Sequence, residues 1–397
     1  MKNFTTQIDE ATSGEKPTIL GVVALAEGQN GTTILSHAAG KTTLDPATAK
    51  PIDQDSILPL ASATKLITAI AALRLVQQGK LDLNDTSVVE QHLPELCAQD
   101  IFASAPGEPI TFEKRKNGIT VSQLLTHTSG SGYDMLHPLL LAWRESRGEA
   151  PISLSEALPN ALAQPGVFQP GEGWTYGGGS DWVGLLISRL TNTSLGDFMQ
   201  REIFDLVGCD ARIGFSHDAV SQHGTIVQIV TRTETGELVG YPLLEQKSER
   251  GGGGLFCSSA NYFKILKDLI APDPKILTPA TLDLLFAAQL HEGSAALTQL
   301  RASSPLFTPM TGPLTASIPL GGINHALGGL LVTQDSEIGE TAGTMAWGGA
   351  FGSMWFVNRK RGVAAFYGSE VFPPTDGKGS EMMGSFVGEI WGKVGKE

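Results

Sequence analysis

The chain has 397 residues, 41% hydrophobic and 17% charged, the composition of a globular protein with more than one compact core. Its formal charge of −13 speaks against a nucleic-acid partner or an anionic membrane, either of which needs clustered Lys and Arg. Cys97, Cys209 and Cys257 are odd in number and far apart, so free thiols in a reducing compartment are expected, with neither a disulfide framework nor a zinc knuckle.

The opening segment MKNFTTQIDEATSGEKP is polar and lacks the apolar stretch of a signal peptide. No run of about eighteen uncharged apolar residues follows, so no transmembrane helix is expected and the protein reads as cytoplasmic. PTILGVVALAEGQNGTTILSHAAG (17–40) places two Val/Ile/Leu/Thr-rich runs around a Gly-Gln-Asn-Gly turn, the pattern of a β-hairpin. From Ser62 to about Gln78 the chain is apolar nearly all round, as in a helix buried inside a domain, with Gly79 closing it. Helical segments then alternate with Gly/Pro-rich loops: VSQLLTHTSG (121–130), ISLSEALPNALA (152–163) and SDWVGLLISRLTN (180–192), the last with Ser180 or Asp181 as its N-cap. After a less regular stretch, SANYFKILKDLI (259–270) reads as a helix entered from the four glycines at 251–254. ALGGLLVTQD, TMAWGGAFGSMWFVN and RGVAAFYGSE are β-rich runs separated by turns, a meander, and a last helix is expected over about 379–394.

This order predicts an α/β fold in which the two ends of the chain share one antiparallel sheet flanked by helices, with a mainly helical lobe inserted. The boundaries expected are 1–60 with 245–397 for the sheet lobe and 61–244 for the helical one.

Within LASATKLITAI (60–70), Lys65 interrupts an apolar helix three residues after Ser62, so the two share a face. A lysine in an apolar wall loses hydration, which disfavours its charged form and lets it accept a proton. A serine hydroxyl is a weak nucleophile until a neighbouring base takes its proton. Ser62 thus reads as nucleophile and Lys65 as part of its base. Spacing alone is weak, since a chain of this length shows roughly one or two Ser-x-x-Lys matches by chance. A second match, Ser13 to Lys16, lies in a polar segment with no helix to align it.

Further motifs follow in order: LLTHTSG (124–130), PGEGWTYGGGSDWVG (170–184) and WGG (347–349). With LASATKL they resemble the serine β-lactamase and penicillin-binding-protein superfamily, in particular its branch of class C β-lactamases, family VIII esterases and transesterases. HPLL (137–140), Trp174 to Gly177 and Asp181-Trp182 resemble most the fungal lovastatin-pathway transesterases and statin-side-chain hydrolases. The resemblance runs from about residue 20 to the C-terminus and implies a β-lactamase/DD-peptidase-like fold. It also implies a third group, Tyr176, which with Lys65 would deprotonate Ser62 and then return the proton to the leaving alcohol. An oxyanion hole is implied at the backbone N–H groups of Ser62 and Ala350. The remaining histidines are scattered without ligand spacing and the glycine runs lack the Lys-Ser/Thr ending of a phosphate loop, so no metal or cofactor is expected.

Two departures bear on substrate. The family's Tyr-x-Asn reads Tyr176-Gly177-Gly178, and its Lys-Thr-Gly reads Trp347-Gly348-Gly349. The amide and the cation that would hold a β-lactam are both missing, and a site loses discrimination when such partners go. The expected activity is therefore that of a serine carboxylesterase or acyltransferase, forming an acyl-Ser62 intermediate on a hydrophobic, secondary-metabolite-like ester. Water or an alcohol would accept the short acyl chain. The alternatives are a β-lactamase or amidase, and a non-catalytic scaffold on the same fold. Tyr133, Trp174, Trp347, Gly348, Gly349 and Phe351 are the expected substrate contacts; Trp182 and Trp355 lie beside the motifs and read as core or pocket wall. His127 reads as a scaffold residue of its loop. An acyl-carrier donor would need a docking surface, for which Glu113-Lys114-Arg115-Lys116 is the local basic run.

Overall fold

The computed structural model describes residues 3–311, 314, 318–339 and 341–394. Strands β1 (Gly21–Gly28) and β2 (Thr33–Gly40) form the expected N-terminal hairpin. Five later strands, β3 (Ile323–His325), β4 (Leu330–Val332), β5 (Thr344–Gly349), β6 (Ser353–Asn358) and β7 (Val363–Gly368), form the meander. β1 pairs antiparallel with β7, so the two ends of the chain make one seven-stranded sheet in the order β3-β4-β5-β6-β7-β1-β2.

Every residue of β5, β6 and β7 is buried, because helices cover both faces. Helices α1 (Phe4–Thr12) and α5 (Gly377–Val394) lie on one face, where the Phe386 ring meets Phe4 and Tyr367, and Trp391 stacks on Phe356 at 5.8 Å. On the other, Tyr262 of α4 (Ser259–Asp268) packs on Phe366 at 5.2 Å. The period of two along a strand places Trp355 on the same side as its cross-strand partners Phe366 and Trp347, the side of α4.

Helix α2 (Thr64–Gln77) is buried round most of its circumference and packs against α3 (Gly179–Thr191). It ends where Gly79 turns left-handed at φ +68°, with the N–H groups of Gly79 and Lys80 donating back to the Val76 and Leu75 carbonyls. Its entry is a 3₁₀ turn, Ala61–Ala63, preceded by strand Ile57–Pro59, which pairs with Phe256–Ser258.

Three local expectations are corrected. Residues 152–163 form turns and a 3₁₀ segment, Asn160–Leu162, because Pro159 has no N–H for a helix and its ring collides with the preceding turn. The helix at 121–130 stops at Leu125, since His127 and Gly130 take left-handed conformations at φ +62° and +84°. Neither Ser180 nor Asp181 caps α3: Gly178 holds the cap, and both side chains are buried inside the first turn.

Candidate active site

Ser62 sits in the 3₁₀ turn that enters α2. The residue before it, Ala61, has φ +44°, a conformation that a side chain adopts only at a cost. The turn is clamped on both sides: Leu60 N–H donates to Leu255 O at 2.9 Å, and β5 passes directly over it. A Cβ on Gly349 would lie 2.3 Å from Leu60 O, so only glycine allows this approach. Ala350 follows at the half-buried tip of the β5–β6 hairpin, whose turn is closed by Gly352 N–H donating to Gly349 O.

One turn on, Lys65 Nζ lies 3.2 Å from Ser62 Oγ and donates to Gly252 O at 2.6 Å. The lysine is 5% exposed, and no carboxylate pairs with it among the described residues. The third group arrives from the loop before α3: Tyr176 Oη and Ser62 Oγ share a 2.6 Å hydrogen bond. Lys65 Nζ stands 4.9 Å from the centre of the Tyr176 ring and 5.7 Å from that of Tyr133. Lys65, three residues from Ser62, and Tyr176, 114 residues from it, thus converge on the Ser62 oxygen. That is the arrangement a nucleophile with a paired base requires.

Tyr176 is held by neighbours on several sides. Thr175 N–H donates to His127 O at 3.0 Å, and the tyrosine ring packs against His127 (4.9 Å), Trp347 (5.5 Å) and Tyr133 (5.8 Å). His127 is therefore a brace, as its loop motif suggests. Burial, with His325 and Lys65 nearby, holds its imidazole well below the usual histidine range; burial also brings His325, 5.5 Å from it, down to about 4. Both rings are neutral at pH 7.

The GGGG run has a use that spacing did not reveal. Asp181, fully buried on α3, accepts hydrogen bonds from Tyr133 Oη (3.0 Å), Gly252 N–H (2.8 Å) and Arg250 Nη2 (3.2 Å). This fixes the 250–252 backbone whose carbonyl receives Lys65, and a Cβ on Gly252 would lie 2.6 Å from the same carboxylate. The signal present in sequence was an acid in an apolar helix beside a glycine run, and it reads locally as a cap.

Of the expected contact residues, Tyr133, Trp174, Trp347 and Gly349 stand around this centre. Gly348 packs against the Met310 carbonyl, and Phe351 lies against Phe372 at 6.1 Å. Trp182 and Trp355 are core, the former donating to Ser131 Oγ. Cys257 is buried on its strand, where desolvation pushes its thiol upward, and all three cysteines are free. Sequence reasoning missed a cavity of about 550 Å³ bounded by Trp174, Thr175 and Tyr176, because its far wall comes from residues 299–306.

The family model for β-lactamases matches residues 11–381. The chain belongs to the β-lactamase family. Within it, the chain is 31% identical to an acyltransferase, calJ, of Penicillium decumbens over 98% of both chains. It is 32% identical to the lovastatin esterase of Penicillium rubens over 90% of each. Among solved structures it superposes on a variant of the simvastatin synthase of Aspergillus terreus with a TM-score of 0.85 and 27% identity, over 99% of this chain and 95% of that one. The β-lactamase-family fold expected from sequence is thus present. No described helix is long and apolar enough to cross a membrane.

Proposed function

We propose that this β-lactamase-family chain is a serine esterase and acyltransferase that works through an acyl-Ser62 intermediate on a hydrophobic, secondary-metabolite ester. The observation that carries the reading is the pair of contacts on Ser62 Oγ, Tyr176 Oη at 2.6 Å and Lys65 Nζ at 3.2 Å. Lys65 and Tyr176 take the serine proton as Oγ attacks the acyl carbon. Tyr176 hands that proton to the departing alkoxide, and water or an acceptor alcohol reverses the sequence. The N–H groups of Ser62 and Ala350 receive the oxyanion, each worth about 10²–10³ in turnover. The site lies at the seam of a sheet lobe, 1–60 with 245–397, and a helical lobe, 61–244.

A β-lactamase or amidase is the weaker reading on two counts. At Gly178, where the family has an amide, a Cβ would lie 2.4 Å from Leu162, so that space is filled by an apolar side chain. At Trp347, where the family has a lysine, the indole packs on Tyr176 and Phe307 and offers no cation. The names of the relatives, acyltransferase and lovastatin esterase, favour ester chemistry. A small-molecule donor is favoured over a carrier protein. In the basic run, Lys114 is paired with Asp100, Lys116 with Glu113, and Arg115 donates to Cys97 O.

Intact-mass analysis after mixing with p-nitrophenyl butyrate tests this. A butyryl adduct on the peptide holding Ser62 is expected, with acylation at least about 10²-fold slower in Lys65→Met and no turnover of nitrocefin. An adduct that persists in Ser62→Ala would refute it.

A further inference from the structure

Glu370 is a titratable group that the chemistry at Ser62 leaves unused. It is fully buried, and neither of its carboxyl oxygens has a partner among the described residues. Its backbone is left-handed at φ +51°, a conformation that a residue with a side chain keeps only where its surroundings hold it. Val230 N–H donates to Glu370 O at 2.9 Å, and the next residue, Val371, pairs with Val230 in a short parallel ladder.

Its place ties Glu370 to the hairpin that carries Ala350. Ser353 of β6 pairs with Gly349 on one side and with Gly368 of β7 on the other. One residue past that pair, Ser369 donates to Gly352 O through both its N–H and its hydroxyl, each at 3.3 Å. A Cβ on Gly352 would lie 2.8 Å from Ser369 Oγ and 3.1 Å from Val371 O, so both chain neighbours of Glu370 touch the turn. The same turn is closed by Gly352 N–H on Gly349 O, with Ala350 between them.

Among the described residues, the cations of the surrounding elements are committed elsewhere. On strand 230–232, Arg232 gives Nε and Nη2 to the two oxygens of Asp376, at 2.7 and 3.0 Å. α4 spends Lys264 on Gly208 O and Lys267 on Glu27 of β1, while its Asp268 accepts two backbone N–H groups. α5 pairs Lys378 with Glu381 and Lys393 with Glu389. The Tyr367 hydroxyl on β7 and the Cys257 thiol on strand 256–258 are raised by burial and stay neutral. Strand Ile57–Pro59, whose Leu58 meets Gly368, brings no titratable group. Burial is then unopposed, and it raises the Glu370 carboxyl well above the usual carboxylate range. A carboxylate formed there has neither water nor a cation, so it is strongly disfavoured until the segment gives way. Resting on the esterase reading above, we infer that Glu370 is a positioning residue: as the uncharged acid it keeps the Ala350 hairpin latched, and on ionising it releases that hairpin. The ionised side chain moves towards water, the left-handed turn at 370 opens, and the Ser369 contacts with Gly352 O go with it. Acyl transfer then fails in alkaline solution while the rest of the fold stays in place.

The test follows pre-steady-state acylation by p-nitrophenyl butyrate from pH 6 to 9.5 in the wild type and in Glu370→Gln, whose amide mimics the uncharged acid. Titration of Lys65 and Tyr176 acts on both proteins alike, so the ratio of their rates isolates Glu370. That ratio, variant over wild type, is expected to rise from about 1 at pH 6 to about tenfold or more at pH 9.5, since a lost oxyanion donor costs about 10²–10³. Amide exchange of the 349–353 peptide at pH 9.5 should be at least about fivefold faster in the wild type than in the variant, and equal at pH 6. Ser369→Ala, which removes one of the two donors to Gly352 O, should bring the alkaline fall of the wild type to lower pH by about half a unit or more. A flat ratio with butyryl-Ser62 formed in both proteins overturns this inference alone, as does equal exchange of the hairpin peptide at pH 9.5. An alkaline fall unmoved by Ser369→Ala, with that variant folded by circular dichroism, also overturns it. Absence of butyryl-Ser62 at every pH overturns the esterase reading and this inference together.

Discussion

Replacing Tyr176 by Phe removes one oxygen from the site and little else. The ring contacts with His127, Trp347 and Tyr133, at 4.9, 5.5 and 5.8 Å, are retained. What goes is the 2.6 Å hydrogen bond to Ser62 Oγ, leaving that oxygen with Lys65 Nζ at 3.2 Å. One hydrogen bond is worth about 1 kcal/mol net, so folding should change little. Loss of a positioned acid–base group costs about 10²–10⁴ in rate, or about 2.7–5.4 kcal/mol in the barrier. The loss should depend on the leaving group. An alkoxide needs a proton to depart, whereas p-nitrophenolate departs unprotonated. Pre-steady-state acylation with benzyl butyrate should therefore fall by about 10³ and with p-nitrophenyl butyrate by at least tenfold less. Equal losses with the two esters would show that Tyr176 donates no proton to the leaving oxygen. No loss with either would remove it from the chemistry altogether.

Gly349→Ala should drive the new methyl into Leu60 O at 2.3 Å and Ser353 Oγ at 2.5 Å, pushing β5 off the Ser62 turn. Acylation should fall about 10²–10³-fold and stability by about 1–3 kcal/mol, while Gly388→Ala on α5, with nothing within 4 Å, should leave both unchanged or slightly improved. Stability should also fall as pH drops from 6.5 towards 4. Above 6.5 His325 is neutral in both states; below it the unfolded imidazole takes a proton that the folded one, at about 4, refuses. The loss from His325 is about 3 kcal/mol, His127 acts in the same direction, and urea midpoints against pH should show a shallower acid slope in His325→Phe. Glu370 works oppositely. Fully buried, with neither carboxyl oxygen partnered among the described residues, its carboxyl is raised well above the usual range by desolvation, so stability is lost as pH rises above 4.5, and Glu370→Gln should flatten that slope.

Features set by short-range patterns could be read from the chain. The hairpin at 21–40, the buried helix after Ser62 and the strands from 330 to 368 each follow a period or a turn that neighbouring residues impose. Ser62 and Lys65 were legible for the same reason, being one helical turn apart. Tyr176 was legible only because the ordered motifs around it point to a family. Where local rules failed, tertiary contacts had overridden them. Asp181 stands where an N-cap should, yet its carboxylate serves Arg250, Gly252 and Tyr133. Strand Phe256–Ser258 is too short to show a period, and it exists because Ile57–Pro59 pairs with it. The cavity wall at 299–306 has no signature, since an apolar helix end looks the same whether it faces a substrate or a core.

The buried charges around Ser62 are divided in a way that isolates Lys65. Asp181 sits on α3 close enough to bind Gly252 N–H, while Lys65 binds the carbonyl of that same residue. Arg250 satisfies the Asp181 carboxylate at 3.2 Å, and Tyr133 adds a further donor, so this buried acid has its cation and does not need the lysine. His127 and His325, held neutral by burial, add no second cation beside Tyr176. Next to Ser62 Oγ, among the described residues, stands the Lys65 nitrogen bonded to a carbonyl and a hydroxyl, which orient it without a fixed negative charge. A carbonyl and a hydroxyl hold the nitrogen in place beside Ser62 Oγ. The Asp181–Arg250 pair thus serves the site through the backbone it fixes, whose Gly252 carbonyl places the Lys65 nitrogen against Ser62 Oγ.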